Sequence, residues 1–312
     1  MTRAFVFPGQ GSQAVGMGKE LADAFAAARE VFGEVDEALK QNLSKLMFEG
    51  PEDQLTLTEN AQPALMAVSL AALRVLEKEG GFDLGKSAAY VAGHSLGEYS
   101  ALAAAKALGL ADTARLLKIR GQAMQKAVPV GQGAMAALLG LDFEQAKEVA
   151  GEAAQGEVCA AANDNAPGQV VVSGAKAAVE RALAIAAAKG AKRSVLLPVS
   201  APFHCALMKP AADAMEEALD KVAILPPILP LVANVTAQPV SDPAQIKALL
   251  VEQVCGTVRW RESVLKMKEL GVSSLVEVGS GKVLTGLVKR IDKEMTGQAL
   301  NTPADIEAFL KG

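Results

Sequence analysis

Aromatic side chains are scarce in this chain of 312 residues: nine Phe, two Tyr and one Trp make 4% of it, against an apolar share of 51%. Its core must therefore be filled by small and aliphatic side chains in close contact rather than by rings. Cysteine is scarcer still. Cys159, Cys205 and Cys255 are odd in number and widely spaced, which argues against a disulfide framework or a zinc site and fits reduced thiols. No metal and no bound cofactor are expected. No apolar run approaches the ~20 residues that cross a bilayer, and the opening Met-Thr-Arg-Ala-Phe-Val-Phe-Pro has no signal-peptide hydrophobic region. The expectation is a cytoplasmic protein with no membrane partner. A basic excess is missing too: 31 Lys and Arg face 35 Asp and Glu, a formal net charge of -4 that argues against a general nucleic-acid binder.

What is present centres on residues 88–102. A short apolar run, Ala88 to Ala92, meets a helical stretch, Leu96 to Ala107, across Gly93-His94-Ser95-Leu96-Gly97. This is the G-x-S-x-G pattern of a nucleophile elbow, whose glycines permit a turn too tight for β-carbons. An ordinary Gly-rich turn is the bland alternative; a strand before and a helix after favour the elbow. Ser95 falls at the apex, and the Leu96 amide at the helix start points toward any oxyanion formed by attack on a carbonyl. Such a serine needs a base, and the chain has two histidines. His94 adjoins Ser95, where neighbouring side chains diverge, so His204 in the loop Ser200-Ala201-Pro202-Phe203-His204-Cys205 is the better base. No Asp or Glu stands out to orient its ring, which leaves that task to a backbone carbonyl or an amide side chain.

Near the start, Ala4 to Phe7 reads as a strand and Pro8 to Gln13 as a loop. Gly9, Gly11 and Ala14 match the G-x-G-x-x-G/A dinucleotide fingerprint, but that unit needs an acid at the end of a second strand about 20 residues on. Residues 19–48 read as helical throughout, which tells against it. The Gln10 amide is instead assigned as second oxyanion donor, since elbow enzymes commonly draw one from a separate strand-to-helix loop. In the helix expected from Leu110 to Val128, about 100° per residue sets Arg120 apart from the polar face, amid Leu116, Leu117, Ala123, Met124 and Ala127. A desolvated guanidinium needs a partner. An internal ion pair or a snorkelling stem is one answer, and a substrate carboxylate gripped by two parallel hydrogen bonds is the other.

From residue 131 the pattern changes. Ala134 to Leu139, Val158 to Ala162, Val170 to Val172 and Ser194 to Val199 read as strands, with helices at Asp142 to Ala154 and Ala175 to Lys189. This βαββαβ order is ferredoxin-like. The expected fold is α/β: a hydrolase-like, mostly parallel sheet flanked by helices, formed by 1–130 and 200–312, with a ferredoxin-like subdomain at 131–199 inserted in it. Strand candidates at 228–235 and 272–279 return the chain to the main sheet. A cleft is expected where the two units meet, with Asn165 and Gln169 either lining it or merely capping turns. Two basic segments, Lys189-Lys192-Arg193 and Lys282-Lys289-Arg290-Lys293, read as solvated surface or as a landing site for an acidic partner.

Taken together the motifs resemble the malonyl-coenzyme A:acyl-carrier-protein transacylase family over nearly the whole chain. The resemblance rests on Phe-Pro-Gly-Gln-Gly-Ser-Gln at 7–13, Gly-His-Ser-Leu-Gly-Glu at 93–98, Arg120-Gly121-Gln122, Asn165-Ala166-Pro167-Gly168-Gln169, Pro202-Phe203-His204 and Glu277-Val278-Gly279. It implies Ser95 as nucleophile, His204 as base, Arg120 as clamp for the malonyl carboxylate, and Gln253 as the residue whose main-chain carbonyl orients His204. Phe203 is expected to wall the acyl pocket. The implied reaction carries malonyl from malonyl-CoA, a substrate rather than a cofactor, to the phosphopantetheine thiol of acyl carrier protein, in a monomer. A serine hydrolase would use the same elbow without Arg120, and a dinucleotide- or acyl-binding module would not need Ser95 to react.

Overall fold

The computed structural model describes residues 2–311. Its strands are β1 (Arg3–Phe7), β2 (Tyr90–Gly93), β3 (Gly133–Leu139), β4 (Cys159–Ala166), β5 (Gln169–Ala175), β6 (Arg193–Leu196), β7 (Leu231–Val232), β8 (Pro239–Val240), β9 (Ser274–Val278) and β10 (Thr296–Leu300). They form two sheets. The larger runs β10-β9-β1-β2-β7-β8 and is parallel until β8 turns back on β7. The smaller runs β4-β5-β3-β6, antiparallel throughout, the ferredoxin-like order. The α/β fold with a separate antiparallel sheet is thus as the sequence implied.

Strand alternation sets the layers. In β1, Phe5 and Phe7 enter the main core beneath the long helix Thr58–Gly80, while Ala4 and Val6 face a second cluster around Trp260 and Val264. A strand buried on both faces is what a parallel sheet covered by helices requires. In the small sheet, Ala136, Leu138, Val170 and Val172 pack on the helices Phe143–Ala154 and Lys176–Ala188. The opposite face, carrying Met135 and Val171, turns toward the main unit and walls a cleft. The smaller sheet is tied to the rest of the chain: Asn163 of β4 bridges Val258 in parallel, and the Asp164 carboxylate accepts from Arg261 at 2.8–3.0 Å.

Several boundaries differ from expectation. The amide-rich stretch 163–166 is strand rather than turn, kept in β4 by bulges at Ala161/Asn163 and Asp164/Ala166, so that Pro167-Gly168 alone make the turn. Residues 19–48 divide into helices Lys19–Ala24, Ala26–Leu39 and Leu43–Glu49. The expected strand at 228–235 shrinks to two residues, preceded by Pro230, which cannot donate to a ladder, and followed by a turn at 234–236. β10 was not foreseen, because Thr296–Leu300 is a polar edge strand that buries only Leu300 fully.

Candidate active site

The elbow is built by steric exclusion. A β-carbon on Gly93 would lie 1.9 Å from Gly97 backbone atoms, and one on Gly97 would lie 2.3 Å from the Phe7 carbonyl oxygen. Only glycine fits either place, and Ser95 between them is held at φ +53°, in the left-handed region. The helix Gly97–Ala104 starts directly after it. No hydrogen bond among the described residues uses the amides of Gln10 or Leu96, the pair expected to hold an oxyanion, and both residues line the cleft.

His204 stands 2.8 Å from Ser95 Oγ through Nε2, and its Nδ1 lies 2.8 Å from the main-chain oxygen of Gln253. A carbonyl can only accept, so Nδ1 carries the proton and Nε2 is left to accept from the serine hydroxyl. Burial, and then the charge of Arg120, push the His204 ring down to about 3, so it stays neutral at ordinary pH. His94 is engaged elsewhere: its Nε2 donates to Asn165 Oδ1 at 2.8 Å.

Arg120 is buried on the helix Leu110–Ala127, with Nη1 donating to Gln62 Oε1 (2.9 Å) and Nη2 to Gln253 Oε1 (2.7 Å) and Ser95 Oγ (3.1 Å). Among the described residues no acid lies within ion-pair reach of it, and its Nε has no hydrogen-bond partner. Burial pulls its pKa down, but a guanidinium keeps its proton in proteins. The internal-ion-pair alternative is therefore not what the structure contains.

These side chains meet in a cleft of about 480 Å³ walled on one side by the smaller sheet, lined also by Phe203, Asn165, Asn163, Met124 and Met135. One expected lining residue is misplaced. Gln169 begins β5 two residues before the cleft-facing Val171, roughly 7 Å further along the strand, and there its Oε1 accepts from Arg290 instead. Sequence reasoning also missed Gln62, Asn163 and Asn234. A signal for Asn234 existed: it is the lone amide in the apolar run Leu-Val-Ala-Asn-Val. No group of His, Cys, Asp and Glu among the described residues is placed to hold a metal ion, and no helix is long and apolar enough to cross a membrane.

Residues 4–302 match the model of the acyl transferase domain family. A protein of Bacillus subtilis named malonyl CoA-acyl carrier protein transacylase is 47% identical over 309 residues, 99% of this chain and 96% of its own. The crystal structure of an acyl-carrier-protein S-malonyltransferase from Bartonella henselae superposes with a TM-score of 0.97 at 57% identity, covering 100% of this chain and 99% of that one. A malonyl-transacylase solved in complex with a type II PKS acyl-carrier protein gives a TM-score of 0.96 at 44% identity, covering 100% and 99%. On these matches the chain belongs to the acyl transferase domain family, among the malonyl CoA-acyl carrier protein transacylases.

Proposed function

We propose that this chain transfers malonyl from malonyl-CoA to the phosphopantetheine thiol of acyl carrier protein through a malonyl-Ser95 intermediate, supplying fatty-acid elongation. One observation carries the reading: a serine hydroxyl bonded to a neutral histidine lies 3.1 Å from a buried guanidinium that lacks a carboxylate. Ser95 Oγ attacks the thioester carbon while its proton passes to His204 Nε2, and the amides of Gln10 and Leu96 hold the oxyanion. As the carbon–sulfur bond breaks, coenzyme A leaves with that proton. The carrier thiol then repeats the sequence in reverse, giving its proton to His204 and returning one to Ser95. Arg120 grips the malonyl carboxylate through its guanidinium, the carboxylate taking over the Nη2 N–H that Ser95 Oγ accepts from. Phe203 and Asn165 wall the acyl group. We place residues 131–199 as an inserted subdomain on 1–130 and 200–312. The site is complete within one chain, which supports a monomer, and the function places it in the cytoplasm with no tightly bound cofactor.

The test is intact mass of the protein mixed with malonyl-CoA, then with holo-carrier protein. A malonyl adduct that persists in water and discharges to the carrier thiol is the expected result. Rapid turnover to free malonate would select a hydrolase, and no adduct would select a binding module.

Carrier protein is acidic by the same reading, and the basic segments supply its landing site. Arg193 pairs with Leu139, Leu139 with Gln169, and Gln169 holds Arg290, so the two segments meet on one surface. Lys189 is engaged by Glu152 and Glu148, whereas Lys192, Arg193, Lys289 and Arg290 have no ion pair among the described residues. Reversing Arg193 and Lys289 to Glu is expected to raise the carrier KM about tenfold at low salt, less at high salt, because rim charge acts mainly on encounter. Loading from malonyl-CoA should stay near wild type. Equal losses in both half-reactions would refute the assignment.

A further inference from the structure

The side chains that react do not account for a second buried cluster behind them. Asn234, in the turn after β7, is fully buried and uses every polar atom it has. Its Oδ1 accepts from the Ser95 amide (2.8 Å) and its Nδ2 donates to the Gly93 carbonyl (2.7 Å). Its own amide donates to Glu98 Oε1 (3.1 Å), and its carbonyl accepts from the Arg259 amide (3.0 Å). The other Glu98 oxygen accepts from Gln253 Nε2, which also donates to the Ser95 carbonyl at 2.9 Å.

We infer that Asn234 and Glu98 are positioning residues: together they form a buried frame that fixes both peptide planes flanking Ser95, and with them the aim of Oγ and of the Leu96 amide. The inference rests on the proposed covalent mechanism. The plane before Ser95 is fixed by Asn234 through the Ser95 N–H. The plane after it is fixed through the Ser95 carbonyl by Gln253, whose amide is held in turn by Glu98. In a trans peptide the N–H points opposite the C=O, so gripping the Ser95 carbonyl from behind directs the Leu96 N–H forward. Ser95 occupies a left-handed conformation that a serine does not favour by itself, and such a residue persists only where its surroundings over-determine it. Glu98 presents an acceptor to each of two donors. Glutamine in its place would set an NH2 against one of them.

The experiment compares Asn234→Ala and Glu98→Gln with wild type by two readouts. One is kcat and KM for malonyl loading. The other is the rate at which an alkyl fluorophosphonate labels Ser95, fluoride leaving as Oγ bonds to phosphorus; this probe uses the nucleophile and oxyanion donors but has no carboxylate for Arg120. In Asn234→Ala, kcat and labelling should fall together by about 100-fold, the cost typical of a reacting group misplaced by ~1 Å. KM should change little, since uniform substrate binding is untouched. Glu98→Gln should show the same pattern at about tenfold or more. Folded variants with wild-type labelling and kcat would overturn the frame, as would losses in KM alone. Failure of both variants to fold would overturn it too, by making the cluster structural. Labelling of Ser95→Ala would instead locate the fault in the nucleophile assignment and leave the frame out of it.

Discussion

Ser95→Ala is expected to form no malonyl adduct and to transfer nothing measurable to carrier protein, while melting close to wild type. Among the described residues the hydroxyl hydrogen-bonds only to His204 and Arg120, and it faces the cleft, so its removal deletes the nucleophile without opening a cavity in the core. His204→Ala should retain the nucleophile yet slow acylation on the order of 10⁴-fold or more, as loss of the base does where serine and histidine act as a unit. His94→Ala should be much the milder change, because that ring is spent on Asn165. Intact mass over time, with a melting curve for each variant, decides the matter. Persistent transfer by Ser95→Ala would end the covalent mechanism, and a greater loss in His94→Ala than in His204→Ala would end the assignment of the base.

Arg120→Ala is expected to reverse the preference among acyl groups instead of simply lowering activity. Losing a buried, charge-assisted contact to the malonyl carboxylate costs about 2 to 5 kcal/mol, or roughly 30-fold to several-thousand-fold in malonyl kcat/KM at 1.4 kcal/mol per decade. Acetyl-CoA has no carboxylate to lose. Its loading should persist or improve, because the Arg120 charge is one of the two main influences that weaken His204 as a base. In the wild type, a bound malonyl carboxylate offsets that charge; acetyl does not. On the proposed mechanism the same cation attracts the malonyl carboxylate and, with no carboxylate bound, lowers the basicity of His204. The ratio of malonyl to acetyl loading on Ser95 reads this directly. A parallel fall in both, with a large drop in melting temperature, would show that Arg120 serves the fold.

The parts of the site that obey local rules were legible in the sequence. The elbow was legible because its G-x-S-x-G spacing is local, although only Gly93 is demanded by neighbours in sequence while Gly97 is demanded by the distant Phe7, and Arg120 announced itself by breaking an apolar helix face. His204 followed from there being two histidines to choose between. What was not legible depends on contacts between distant segments. Nothing around Asn234 shows that its amide would clamp Gly93 and Ser95, 141 and 139 residues away. Gln253 was read only through family resemblance, since a main-chain carbonyl leaves no mark on residue identity. Gln169 does not line the cleft for a simpler reason: the sequence reads it with Asn165 as part of one turn, whereas Asn165 ends up on β4 beside the cleft and Gln169 beyond the turn at the start of β5.

The placement of β1 between β2 and β9 has a consequence for how the chain is made. Residues 3–7 are made long before residues 274–278, with which one side of that strand pairs. Until then β1 is an unprotected parallel edge bearing the buried Phe5 and Phe7, and such edges invite pairing with other chains. Sequence-distant pairing of this kind is also slow to form. A nascent chain stalled before β9 would carry every residue from Gln10 to Gln253 that the proposed chemistry uses and still lack the strand that closes the sheet beneath them.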